Sequence, residues 1–171
     1  DRQITHRVDP HRVMVVLSGG EVLVRDDLER IGSEIARRGY PWGMVTNGLA
    51  LTPERLHGLI RAGLRTISVS LDGLEREHNR IRRNPASFAR AMDAVRHIVR
   101  EPELAFDVVT CVTEPLVPQL EAFRDRLVAE GVRHWRLFSI FPAGRAKGDG
   151  TLRLTDAGFR TLLDFIRRTR R

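Results

Sequence analysis

After residue 12 the chain alternates short apolar runs with amphipathic stretches of helical period, and that rhythm leaves few folds open. Runs at 13–18, 42–46, 65–71, 105–112 and 134–140 read as strands. The first of them, Val13 to Leu17, is apolar or β-branched throughout, which predicts a strand covered on both faces. A helix is predicted from Asp26 or Asp27, where Asp26-Asp27-Leu28-Glu29 has the form of a capping box; it carries Leu28, Ile31 and Ile35 on one face and stops at Gly39. The next opens on Thr52-Pro53, a cap followed by proline at the first helical position, buries Leu56, Leu59 and Ile60, and ends at Gly63. A third begins near Ser87 and sets Phe88, Ala91, Met92, Val95 and Ile98 along one stripe. A fourth runs from about Pro118 to Gly131 around Leu120, Phe123 and Leu127, and a last one follows Thr155 with Phe159, Leu162, Leu163 and Ile166 turned inward. The pattern predicts an α/β fold with parallel strands. Five βα units are too few for an eight-stranded barrel, so a partial barrel lacking at least one unit before residue 13 is expected.

Size and composition narrow the function classes. At 171 residues the chain is one domain's worth, with a core of its own. No apolar run approaches the roughly 18 residues of a membrane span, and Asp1 to His6 do not resemble a signal peptide, so a cytoplasmic protein without membrane contact is expected. Lys plus Arg number 29 against 22 Asp plus Glu, a net charge of +7 that raises nucleic acid as a partner. The distribution argues against it: Lys147 is the single lysine, and the arginines are spread over almost every predicted helix without an aromatic-interleaved stripe. Cys111, the single cysteine, permits no intrachain disulfide and no multi-thiolate metal site; within the run Phe106 to Val112 it reads as a core thiol. The chain starts without Met and ends on Arg167-Arg168-Thr169-Arg170-Arg171, which suggests a piece of a longer protein. Residues 142–151 read as a long loop.

The polar and glycine clusters fall where the predicted strands finish: Ser18-Gly19-Gly20-Glu21, Thr46-Asn47-Gly48, Ser70-Leu71-Asp72-Gly73, Thr110-Cys111-Val112-Thr113 and Phe141-Pro142-Ala143-Gly144-Arg145. In parallel α/β folds the carboxyl ends of the strands form the ligand-binding rim. Gly19 and Gly20 let backbone approach a ligand closely, and Glu21 beside exposed N–H groups suits a zwitterion, an amino acid or its derivative. Two other readings fit the same residues. One is a phosphate-binding α/β barrel enzyme using Ser18-Gly19-Gly20 as an anion nest; the other is a non-catalytic module that docks a partner through its sheet edges.

These motifs, in this order from about Val13 to Arg171, resemble the core of a radical S-adenosylmethionine (radical SAM) enzyme, in the branch with a SPASM-type auxiliary-cluster extension. Ser18-Gly19-Gly20-Glu21 resembles the Gly-Gly-Glu motif that holds the cofactor's amino group, with Val22 where the family usually has Pro. Gly43 to Gly48 resembles the strand ending in Thr-Asn-Gly, and Ile67 to Gly73 the strand whose Ser and Asp face the cofactor. His78 to Phe88 is similar to the family's His-Asp-x-x-Arg-Gly-x-x-Gly-Ser-Phe run, from which Asn79, Arg83 and Ala86 depart; Pro142 to Ala146 is similar to its Pro-x-Gly-Arg-Ala stretch.

The resemblance implies a partial (β/α)6 TIM-like barrel over 13–148 with its first βα unit missing, a remnant at 1–12, and a helix at 149–171 leading towards an absent auxiliary region. It implies S-adenosylmethionine as cofactor, with Ser18, Gly19, Gly20, Glu21, Thr46, Asn47, Ser70, Asp72 and Arg82 as the binding residues. Within that set Glu21 would meet the ammonium, Arg82 the carboxylate, and Ser70 with Thr46 or Asn47 the ribose and methionyl part, while Asp72 would position the loop. His78 would be a structural residue or one lining the rim, and Arg145 would be a loop or site residue. The complete enzyme would cleave its cofactor reductively at a four-iron four-sulfur cluster to a 5′-deoxyadenosyl radical that abstracts hydrogen, with a peptide as substrate and a reductant protein as partner. The Cys-x-x-x-Cys-x-x-Cys loop and the auxiliary-cluster cysteines are absent, so this chain is expected neither to ligate the cluster nor to act alone.

Overall fold

A computed structural model describes residues 9–140 and 150–170. Among them one sheet runs β1 (Val15–Leu17), β2 (Trp42–Thr46), β3 (Leu64–Ser70), β4 (Ala105–Val112) and β5 (Trp135–Ser139), in that spatial order. Parallel registers join Val15 to Trp42, Thr46 to Val69 and Val108 to Trp135. The order advances by one strand at each step without reversal, as in βα barrels, and lacks the switch point of a doubly wound sheet. The helices between the strands are α1 (Leu28–Arg37), α2 (Pro53–Arg61), α3 (Glu75–Arg82), α4 (Ser87–Val99) and α5 (Leu120–Ala129), with α6 (Asp156–Thr169) after β5. The chain is an α/β protein, as the alternating pattern predicts. No helix among the described residues is long and apolar enough to cross a membrane.

The residues form two compact units, 1–70 with 90–107 and 71–89 with 108–171, so that α4 and β4 each cross from one to the other. In the first unit Trp42 is fully buried and donates from Nε1 to the Ala62 carbonyl at 3.0 Å. Its indole occupies the space that a Cβ at Gly32 would need, so α1 reaches the sheet only because that position carries no side chain. Leu56, Leu59, Ile67, Met92, Val95 and Ile98 complete that core. In the second unit Trp135 stacks edge-on between Phe123 (5.3 Å) and Phe165 (5.9 Å) and donates to Thr110 Oγ1 at 2.8 Å.

Three local expectations need correction. Met14 and Val16 are 46% and 54% exposed, so the first strand is not covered on both faces; it ends the strand order and pairs only with β2 among the described residues. The Asp26-Asp27 capping box does not form, because the Asp27 carboxylate is engaged by Arg25 and Arg30; Thr52, by contrast, caps α2 by accepting from Arg55 N. In α6 the inward face is Gly158, Leu162 and Phe165, while Phe159 and Leu163 are about half exposed. The Glu114 carboxylate takes Thr155 N and Oγ1 and lies against Gly158, which fixes the rotation of that helix before its apolar residues can.

One helix was not predicted: α3 carries no apolar stripe for periodicity to detect. Acidic Glu75 and Glu77 sit in its first turn and Arg80 and Arg82 in its last, the arrangement the helix dipole favours, and Arg80 pairs with Glu77. It stops at Arg83, the one non-glycine residue with positive φ (52°) among the described residues, at the position where the family pattern has glycine. Left-handed backbone costs a side-chain-bearing residue about 1–2 kcal/mol, partly offset in glycine by its freer unfolded state. Arg83→Gly should therefore stabilise the chain by about 0.5–1 kcal/mol, read as a higher urea midpoint at unchanged slope.

Candidate functional site

The first polar cluster forms where β1 and β2 end. Ser18, Gly19 and Gly20 are exposed, Gly19 has φ +134°, and a Cβ added at either glycine would meet nothing within 4 Å, so the loop's backbone borders open space. Glu21 follows with its carboxylate folded back. Oε1 accepts from Leu23 N at 3.0 Å and from Thr46 Oγ1 at 2.7 Å, and Oε2 accepts from Asn47 N at 2.8 Å. Thr46 is buried and its oxygen also accepts from Gly48 N, while Asn47 Oδ1 takes Leu49 N in a local turn. A carboxylate offers about four lone-pair directions, so three donors leave room for one more, and a cation is the natural fourth. Ser70 closes β3 in the same unit and is half-buried.

The second cluster lies wholly in the other unit. Asp72 is 2% exposed; Oδ1 accepts from Cys111 N at 3.1 Å and Oδ2 from Arg82 Nε at 2.8 Å and Nη2 at 2.7 Å. The Asp72 N–H donates to His78 Nδ1 at 3.0 Å, which fixes the ring as the neutral tautomer whose Nε2–H donates to Ser87 Oγ at 3.0 Å. His78 and Ser87 are fully buried. Burial pushes the His78 pKa down to about 4, with the Arg82 charge adding to the effect and Asp72 opposing it. Burial likewise pushes the Cys111 thiol up, and the Asp72 charge adds to that, so it is not poised as a nucleophile.

The structure thus brings Glu21, Thr46 and Asn47 into contact, and Asp72 with Arg82. The hydroxyl of Thr46 and the N–H of Asn47 are spent on Glu21, and Arg82 is spent in part on Asp72. Of its two readings His78 takes the structural one, a buried connector between Asp72 and the start of α4. Sequence reading missed Ser87 as its partner and the Cys111 N–H as a donor to Asp72; a histidine nine residues before a helix-opening serine is too weak a signal to find them. Arg145, Lys147 and the stretch from Pro142 to Ala146 lie outside the described residues.

Two glycines over open space are followed by a carboxylate with one acceptor direction left, an arrangement with room for a cationic group at the strand ends. Comparison with known proteins shows that the chain belongs to the radical SAM superfamily, whose sequence profile matches residues 2–118. It is 31% identical over 158 residues to the AdoMet-dependent heme synthase of Methanosarcina barkeri, covering 90% of this chain and 43% of that protein. The AdoMet-dependent heme synthase of Nitratidesulfovibrio vulgaris is 26% identical over 157 residues, 90% of this chain and 42% of that protein. The chain therefore spans less than half the length of these relatives. In fold it is similar to anSMEcpe, solved with bound AdoMet and the Kp18Cys peptide, with a TM-score of 0.75 at 14% identity over 95% of this chain and 47% of that one.

Membership implies both AdoMet and a 4Fe-4S cluster, and the residues answer differently to each. The Glu21 cluster and the open glycine loop fit an ammonium-bearing cofactor. The cluster does not fit these residues, because the sequence holds one cysteine and no group of three or more metal-ligating side chains exists among the described residues.

The buried imidazole makes stability depend on pH. Above pH 6.5 the ring is neutral folded or unfolded; as pH falls below that, only the unfolded chain takes up the proton, so stability drops until the folded value near 4 is reached. The loss should approach about 1.4 kcal/mol per pH unit. Urea midpoints measured from pH 7 to 5 should show this slope, and His78→Gln, which does not titrate, should lack that part of it.

Proposed function

We propose that this chain is the S-adenosylmethionine-binding part of a radical SAM enzyme whose complete form carries out a heme-forming reaction. The observation that carries the binding reading is the Glu21 carboxylate, held by three donors with one acceptor direction left beside an open Gly-Gly backbone. Support for the reaction comes from the AdoMet-dependent heme synthases to which 90% of the chain aligns.

In this reading Glu21 takes the cofactor's ammonium, and Gly19 and Gly20, after Ser18, allow its backbone-side approach. Thr46 and Asn47 keep the carboxylate in place, and Ser70 contributes its hydroxyl. The cofactor supplies radical chemistry in this family; the protein's share is to orient it and keep water away. The iron-sulfur cluster and a reductant protein belong to the complete enzyme.

A peptide substrate draws support only from fold-level likeness to proteins solved with peptides, anSMEcpe among them. The phosphate-nest alternative is disfavoured by Glu21, whose negative charge sits directly after the glycines that would have to receive an anion.

Isothermal titration of the chain with S-adenosylmethionine tests the binding reading. Glu21→Gln keeps the volume and removes the charge, and should weaken binding by about 1.5–3 kcal/mol, the range for hydrogen bonds to charged groups. Equal affinity in wild type and variant would remove Glu21 from the site, and no binding by wild type would sink the reading itself.

A further inference from the structure

We infer that the outer edge of β5, with the groove beside it, is a docking site for an extended acidic segment of a partner protein, which adds to the sheet as a further strand. Every residue of this site belongs to the second unit, and the inference stands apart from the cofactor reading.

Among the described residues β5 ends the strand order and pairs with β4. The phase of that pairing decides which backbone groups are left over. Val108 N donates to the His134 carbonyl while Val108 stands opposite Trp135, so residues 134, 136 and 138 turn their peptide groups toward β4. Trp135, Leu137 and Ser139 turn theirs the other way. A groove of about 470 Å³ lies between α5 and α6, with Leu127 and Phe165 on its two walls, and Trp135, Arg136, Leu137 and Phe138 all line it. Successive side chains of a strand leave on opposite faces, so four neighbours in a row can border one groove only along the strand's edge. The outward peptide groups of Trp135 and Leu137 therefore meet the groove, which is the geometry that strand addition uses.

The lining selects among incoming strands. Its walls are apolar, with Leu127 and Phe165 each 2% exposed, while Val128 and Phe138 stand exposed at the margin. Arg124, Arg133, Arg136 and Arg170 also line it, and none of the described residues that do so is acidic. Arg124 is answered in part by Asp125 at 2.7 Å and lies over the Phe165 ring. A segment alternating apolar and acidic residues would set the first against the walls and the second toward the arginines. A second copy fits less well: the chain carries +7, and its own opposite edge, β1, is Val-Val-Leu with no acid to offer. Arg136 on the edge strand adds a repulsive element against basic strands, which narrows the choice of partner further.

The test titrates the chain with a short fluorescein-labelled peptide of alternating valine and glutamate, read by fluorescence anisotropy. Comparison peptides carry lysine for glutamate, or N-methyl groups on the valine amides alone or on the glutamate amides alone. The glutamate peptide should bind with Kd below about 1 mM, and the lysine peptide about tenfold more weakly or worse. One methylated peptide should lose binding and the other keep it, because a strand pairs along one edge only. Arg133→Glu with Arg170→Glu, both exposed positions, should weaken the glutamate peptide about tenfold and strengthen the lysine peptide. If that variant does not fold, Arg133→Gln with Arg170→Gln takes its place, with weakening of the glutamate peptide expected. Amide exchange at Leu137 should slow when the glutamate peptide is bound. No binding, equal affinity for the glutamate and lysine peptides, equal binding by the two methylated peptides, an affinity the variants do not move, or unchanged exchange at Leu137 overturns the inference. A concentration-dependent dimer in sedimentation that slows Leu137 exchange without peptide gives the edge to a second copy, and overturns it as well.

Discussion

A carboxylate taken out of water needs donors on both of its oxygens, and around Asp72 this requirement organises much of the second unit. The charge sits at the end of a buried strand, 2% exposed, where leaving it unpaired would cost several kcal/mol. Its compensation comes from two separate places in the sequence, the Cys111 N–H on β4 and Arg82 in the last turn of α3, while His78 accepts the Asp72 backbone N–H and holds the loop that carries it. Each of these needs the others in place, because Arg82 reaches Asp72 only if α3 forms, and α3 has almost no apolar surface to hold it down. Electrostatics does there what hydrophobic burial does for the other helices.

The departures from the family pattern have local explanations. Asn79 stands where the family has Asp; its Oδ1 still accepts the Phe88 N–H, and its amide adds a donor to the Pro85 carbonyl. Ala86 stands where the family has glycine, and its backbone is not left-handed, so no glycine is needed; its N–H is received by Asn84 Oδ1. Val22 replaces proline at the first position of a short 3-10 turn capped by Glu21, a place where an N–H has no partner to lose. Arg83 is the exception, since it keeps the conformation that suits glycine and bears the strain.

Strands were legible because a parallel strand is a short β-branched run wherever it sits, and β2 and β4 occupy the bounds their residues suggest. The helices with a cap and an apolar stripe, α2 and α4, were equally plain. What escaped were features set by partners distant in sequence. The rotation of α6 depends on Glu114, 41 residues before Thr155, and the pairing of Asp72 with Cys111 spans 39. Glu21 stood out as a candidate from its glycines, yet its hydrogen bonds with Thr46 and Asn47 appear only once β1 and β2 are side by side. A helix such as α3, written entirely in charges, is visible only to a reader who weighs where along it the acids and bases fall.

The interleaving of the two units has a consequence for biosynthesis. The first unit includes residues 90–107, which are made after the 71–89 stretch of the second, so neither unit is a contiguous length of polypeptide. On the ribosome the earlier unit cannot close until residue 107 has emerged, and by then the segment carrying Asp72, His78 and Arg82 is already outside the exit tunnel, waiting for β4 to arrive. Gene fission at any single point within the chain would cut through one unit or the other.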